Sequence, residues 1–283
     1  MESLIGPTPL RFLNQCSLAL GCRVYGKLEI YNPTGSHKDR ESEEIIAYAK
    51  RRGIAGLAIA STGNAAISLA AYSLIHKLRC SVYLPEGIAP ERLAQIQAYH
   101  PNIIFACDYE EAIAECNRQA VRKGLLNCNP GARIEKIKGD SRIGVEIASR
   151  MKPDYVVCPT NNGTLLAGVW MGLKRAGVRT PIAAAVTRET ILAEAIAGFH
   201  RIEEPALSKT LQESRSKIVE VSDPEIAEAA RLLISDGLIV EGASAAAIAC
   251  LKHLEVSQKT RVVCVITGNG LKFPTSIKEL LSA

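Results

Sequence analysis

The chain has 283 residues, 47% hydrophobic, 22% charged and 5% aromatic, with a formal net charge of +5. That length builds one large or two moderate domains with a sizeable core. The charge is modest and dispersed, its one short cluster being Lys50-Arg51-Arg52, which excludes a basic, aromatic-interleaved nucleic-acid surface, and no apolar run reaches membrane-spanning length.

The N-terminus lacks a basic segment followed by an apolar core, so no secretory signal is expected. Nine cysteines, an odd number without a CxxC pair, read as buried, reduced thiols of a cytoplasmic protein. Their spacing supports no metal site.

In chain order, Gly6-Pro7-Thr8-Pro9-Leu10 comes first, and its two prolines exclude helix. Residues 23–30 read as a strand. It leads into Asn32-Pro33-Thr34-Gly35-Ser36-His37-Lys38-Asp39-Arg40, where Asn-Pro starts a turn and Gly35 relaxes the backbone. Residues 41–52 are helix formers with Ile45, Ile46 and Ala49 at helical spacing, and Ser36 is placed to cap them. Lys38 therefore falls at a helix start. The positive end of a helix disfavours a second positive charge, and a neutral amine is what a Schiff base requires. On its own, such a lysine is more often a solvated surface residue.

Strands at 56–60, 80–84 and 102–106 then alternate with helices at 65–75, 90–99 and 110–123. The second half repeats the pattern. Helices at 140–151 and 165–177 alternate with strands at 155–158 and 182–186. A short strand at 218–221 precedes a helix capped at Ser222, with Pro224 in its first turn. The last strand spans 261–266. Residues 198–217 fit a loop or a short helix. Strand and helix alternating at this interval predict an α/β fold with parallel sheets, divided into a larger domain (1–39 and 131–283) and a smaller one (40–130).

In open parallel sheets, ligands bind beyond the carboxyl ends of strands. Three polar turns occupy such positions. Ser61-Thr62-Gly63-Asn64-Ala65 leaves amides open at a helix start, which suits a carboxylate or phosphate, although Ser and Thr also serve there as plain caps. Thr160-Asn161-Asn162-Gly163-Thr164 reads as an anion loop or as a simple connection. Thr267-Gly268-Asn269-Gly270-Leu271-Lys272 follows the last strand.

NPTGSHKDR resembles the lysine motif of the fold type II pyridoxal-phosphate enzymes, the tryptophan synthase β superfamily. The resemblance is strongest to threonine synthase, which has Phe where this chain has His37. A His before the lysine is familiar from the tryptophan synthase β subunit. GPTPL followed by KLEIYNPTG is similar to the start of the same family. TGNGLKF resembles its TGHGLKD segment, and Val240-Glu241-Gly242-Ala243-Ser244-Ala245-Ala246 its E-P-x-S-A-A run. The alternative for that last run is a small-residue helix packed closely on the sheet.

The resemblance implies two open parallel-sheet domains with pyridoxal 5′-phosphate in the cleft between them, and a homodimer. It implies that Lys38 carries the cofactor and then takes the substrate α-proton. His37 would pack nearby, and Asn64 would bond the ring hydroxyl. Thr160, Asn161, Asn162, Gly163 and Thr164 would wrap the phosphate, although the family loop is richer in glycine. Thr267 would bond the pyridine nitrogen, keeping it mostly neutral. Ser61, Thr62, Gly63, Asn64 and Ala65 would hold the carboxylate of a small amino-acid substrate. The implied chemistry is β/γ-elimination or replacement, first as in threonine synthase, which turns O-phosphohomoserine into threonine and phosphate. Arg92, Arg142 and Arg188 are candidates for the substrate phosphate by charge alone. The family's E-G-x-K-T reads here Lys138-Gly139-Asp140-Ser141-Arg142. A serine or threonine ammonia-lyase, a cysteine-synthase-like replacement and a cofactor-binding regulator without turnover are the alternatives.

Overall fold

In the computed structural model, residues 3–198 and 200–282 are described. Phe199, inside the stretch without a clear sequence period, lies outside them. Among the described residues there are ten strands: β1 (Leu10–Phe12), β2 (Arg23–Leu28), β3 (Gly56–Ala60), β4 (Arg79–Pro85), β5 (Asn102–Ala106), β6 (Leu126–Asn127), β7 (Tyr155–Pro159), β8 (Ile182–Val186), β9 (Lys217–Glu220) and β10 (Arg261–Ile266). The helices are α1 (Asn14–Leu20), α2 (Lys38–Arg51), α3 (Asn64–Ile75), α4 (Pro90–Gln97), α5 (Tyr109–Lys123), α6 (Ile134–Arg150), α7 (Thr164–Arg175), α8 (Glu204–Glu213), α9 (Asp223–Ser235), α10 (Gly242–Ala249) and α11 (Pro274–Ser282).

The chain divides into two compact units. One comprises Met1–Gly6 and Lys38–Gly139, the other Pro7–His37 and Asp140–Ala283. The smaller unit thus reaches beyond the 40–130 expected from the sequence. Two local contacts account for this. Ser3 Oγ and the Leu4 amide both donate to Glu43 Oε1 at 2.9 Å. In α6, Gly139 packs so closely on α2 that a Cβ there would lie 2.2 Å from the Arg40 carbonyl oxygen.

The larger unit holds a six-stranded sheet in the order β1-β2-β10-β7-β8-β9. Only β1 runs antiparallel. Its central strand β10 is apolar from Val262 to Ile266 because both faces are covered there. Val262, Cys264 and Ile266 face one core with residues of α1, α9 and α10, while Val263 and Val265 face another with Ile143 and Ile147 of α6 and Leu166 and Val169 of α7. Strict alternation of side chains along a strand produces this division. The smaller unit holds a parallel sheet in the order β5-β4-β3-β6. Ala58, Ala60 and Tyr83 pack there on Ala112, Cys116 and Ala120 of α5.

Helix α9 starts at the expected Ser222 cap, and Glu225 at its third position completes a capping box that the sequence reading did not include. No helix among the described residues is long and apolar enough to cross a membrane. All nine cysteines are free and only Cys107 is exposed. Burial pushes the thiols of Cys80, Cys128 and Cys250 up to about 12 and that of Cys116 to about 11. Such thiols are poor nucleophiles at neutral pH. DTNB is therefore expected to titrate one thiol in the native protein and nine after denaturation. Two or more fast native thiols would show that the core is not closed.

Candidate active site

In the larger unit, a buried ionic chain supports the turn ahead of the lysine. Lys27, 1% exposed, places Nζ 3.2 Å from Glu29 Oε1 and 2.6 Å from Glu146 Oε2. The Thr8 hydroxyl donates to Glu29 Oε1 at 2.6 Å. Glu29 Oε2 accepts from Asn32 Nδ2 at 2.7 Å, and the same amide nitrogen reaches the Ser36 carbonyl oxygen at 3.1 Å. The family-like segments GPTPL and KLEIYNPTG therefore form one network, which fixes the 32–36 turn. Gly35 takes the left-handed φ of 82° that this turn needs.

The same turn is stitched to the loop after β10. The His37 amide donates to the Thr267 carbonyl oxygen (2.9 Å), the Asn269 amide donates to that of Gly35 (3.0 Å), and Ser36 pairs with Gly268. Ser36 does not act as the expected cap. Its Oγ is buried and has no hydrogen-bond partner. His37 Nδ1 lies 3.1 Å from Oδ1 of the fully buried Asp140. A carboxylate at that distance fixes which ring nitrogen carries the proton. Asp140 also adds to the burial that raises the Cys158 thiol.

Ser244 in α10 organises the Thr267 loop. Its Oγ accepts from the amides of Thr267 (2.9 Å) and Gly268 (3.0 Å) and lies 3.1 Å from Thr267 Oγ1. The Glu241 carboxylate is pressed against Gly268, where a Cβ would come within 2.5 Å of it. Residues Gly242–Ala249 form a buried helix of small residues, the structural reading of that run.

The 160–164 loop follows β7, the parallel neighbour of β10, so both loops leave the same edge of the sheet. Thr160 Oγ1 donates to the Cys158 carbonyl oxygen (3.0 Å), and Asn161 Oδ1 accepts from the His200 amide (3.0 Å). Both side chains thus brace the loop from within the protein. Gly163 caps α7 with φ 91°. Thr164 opens that helix, whose first-turn amides have no acceptor within it. Asn162 Oδ1 is buried without a hydrogen-bond partner. Turning that amide over presents its NH2 group, a donor. A helix start with an orphaned amide beside it fits a phosphate.

In the smaller unit, Lys38 is the first residue of α2, as expected, and its side chain is 26% exposed. Its Nζ lies 2.5 Å from Glu41 Oε1, and Lys136 Nζ lies 3.7 Å from the other oxygen. The sequence argument considered the helix dipole alone. A buried carboxylate one turn on favours the charged amine and opposes that effect. Gly63 caps α3 and Asn64 begins it. The Gly63 amide donates to Ser61 Oγ at 3.3 Å. A buried bond from Ser68 to Ser42 (2.7 Å) ties α3 to α2. Each serine stands four residues along from Asn64 or Lys38, so the two helix starts are brought together.

Of the arginines selected by charge, Arg188 is 81% exposed and pairs with Glu220 at 3.3 Å, a solvated surface pair. Sequence reasoning missed Glu41 with Lys136, Asp140, and Ser244 as a partner of Thr267. Only Ser244 carried a signal, as the one hydroxyl in a run of small residues.

A family model described as pyridoxal-phosphate dependent enzyme matches residues 1–268. The threonine synthase of Bacillus sp. (strain ULM1) is 34% identical over 296 residues, covering 95% of this chain and 84% of that protein. The threonine synthase of Methanocaldococcus jannaschii is 32% identical, covering 95% of this chain and 76% of the relative. Among solved structures, maize serine racemase superposes with a TM-score of 0.86 at 17% identity, over 98% of this chain and 92% of that one. Isoform 2 of threonine deaminase from Solanum lycopersicum gives 0.84 at 20%, over 98% and 84%. At those identities the structures share the fold. The chain belongs to the pyridoxal-phosphate-dependent enzymes, with the two parallel sheets of fold type II. Within that class it is threonine-synthase-like, and its cofactor is pyridoxal 5′-phosphate.

Proposed function

We propose that this enzyme converts O-phosphohomoserine to threonine and phosphate. The observation that carries this reading is the 34% identity to a threonine synthase across 95% of the chain, with Lys38 at its helix start. Bound, the cofactor supplies an electron sink for charge developing on the substrate carbons. The residues of the chain supply the rest. Lys38 would hold the cofactor covalently, and its amine would serve as the base for the substrate α-proton. In the larger domain, the amides of the Thr164 helix start and Asn162 would hold the cofactor phosphate, and the Thr267 hydroxyl would be the partner of the ring nitrogen. The smaller domain carries the loop Ser61–Ala65, whose open amides at the start of α3 suit the carboxylate of an amino-acid substrate. His37, its tautomer fixed by Asp140, stands next to Lys38 in the chain. The enzyme acts as a homodimer, as the family resemblance implies. It works in the cytoplasm, a setting supported by nine unpaired thiols.

A substrate panel tests the assignment. Purified enzyme loaded with cofactor is expected to release phosphate and form threonine from O-phosphohomoserine. Ammonia released from serine or threonine instead would make it an ammonia-lyase. Turnover of O-acetylserine with sulfide would make it a β-replacement enzyme. An intact cofactor absorption band without turnover on any of these would make it a binding protein.

A further inference from the structure

Hydrogen-bond bookkeeping around Ser244 identifies a positioning residue for the cofactor ring. A serine hydroxyl has one proton and two lone pairs. Both lone pairs of Ser244 are committed, to the amides of Thr267 and Gly268 at 2.9 and 3.0 Å. The Thr267 hydroxyl therefore has no acceptor at Ser244. The Ser244 proton has two destinations, Thr267 Oγ1 at 3.1 Å and the Gly268 carbonyl oxygen at 3.4 Å, and the shorter contact is the better bond. Ser244 is fully buried and Thr267 is 6% exposed. The rotation of the Thr267 hydroxyl is thus constrained from behind: it accepts from Ser244 and must direct its own proton elsewhere.

We infer that Ser244 fixes Thr267 as a hydrogen-bond donor, and so selects the unprotonated form of the pyridine nitrogen. The inference rests on the reading that Thr267 faces that nitrogen. An unprotonated pyridine nitrogen is an acceptor and takes the Thr267 proton. A protonated one is a donor and would leave the buried Thr267 proton without an acceptor, an unfavourable arrangement. The amides held by Ser244 belong to the residues stitched to Ser36 and His37. One hydroxyl thereby places the Thr267 loop and sets the direction of its proton.

The experiment is a double-mutant cycle on cofactor affinity, read by absorbance titration, with Ser244→Ala, Thr267→Ala and the pair. Loss of one neutral buried hydrogen bond corresponds to about a 5–10-fold weaker dissociation constant. Each single variant is expected to show it, and the pair is expected to bind no more weakly than Thr267→Ala alone. In holoenzyme carrying cofactor 15N-labelled at the ring, the wild type should show an unprotonated nitrogen, and Ser244→Ala should move that resonance towards the protonated position. Equal weakening by Ser244→Ala with and without Thr267 would make Ser244 a structural cap and overturn the inference. So would an unmoved resonance. Thr267→Ala without any effect would instead defeat the placement of Thr267 itself. Should Ser244→Ala fail to fold, Ser244→Cys keeps a weaker donor and acceptor in nearly the same volume. It is expected to give an intermediate shift, and wild-type affinity with a wild-type resonance would overturn the proposal.

Discussion

Lys38→Ala is expected to leave a folded protein without turnover. The side chain is partly exposed and pairs with Glu41, so little packing is lost. Glu41, 2% exposed, keeps Lys136 at 3.7 Å as a counter-charge, which spares the variant a wholly unpaired buried carboxylate. The loss of a covalent anchor and proton acceptor should lower activity on the order of 10³-fold or more. Two measurements check this. Circular dichroism should match the wild type. Borohydride treatment of the holoenzyme should add the cofactor mass to the Lys38 peptide of the wild type and to no peptide of the variant. Cofactor mass on another lysine would sink the assignment of Lys38.

Removing Lys27 should produce the largest loss of stability. Its ammonium pairs with both Glu29 and Glu146, and Glu29 is fully buried. Breaking a buried pair by deleting one partner costs about 3–5 kcal/mol, because the remaining charge stays out of water. Lys27→Ala is expected to shift denaturant unfolding by that amount, while Glu146→Gln, at the more exposed end, should shift it less. Since Glu29 also holds Asn32, and Asn32 the Ser36 carbonyl, Lys27→Ala should weaken cofactor binding in whatever fraction remains folded. A stability loss below about 1 kcal/mol would place the cluster among weak surface ion pairs.

The alternation of strands and helices was legible because it depends on local pattern. Apolar runs such as Val262-Val263-Cys264-Val265-Ile266 lie where a doubly covered strand needs them. The elements that escaped reading have particular causes. Helix α6 begins at Ile134, ahead of the expected 140, because Gly139 suggests a break when seen alone. In the fold it is an ordinary helical residue whose missing side chain admits the Arg40 backbone. Helix α1, seven residues long, begins without a side-chain cap, so neither length nor a capping residue announces it. Helix α8 lies in the stretch without a clear period and also starts without a side-chain cap.

By itself the sequence determined the class of fold, the lysine at a helix start and the polar turns after strands, because each is written in neighbouring residues. Only the tertiary structure decided which of those turns share an edge. The strand order β2-β10-β7 sets the 32–37 turn beside residues 267–269 and places the 160–164 loop at the next strand. It also decided the polar partners: Glu41 with Lys38, Asp140 with His37, Ser244 with Thr267. The physical reason is range. Turn and helix signals act over a few residues, whereas the protonation and orientation of a site depend on groups within a few ångströms in space, and strand order, not sequence distance, determines which groups those are.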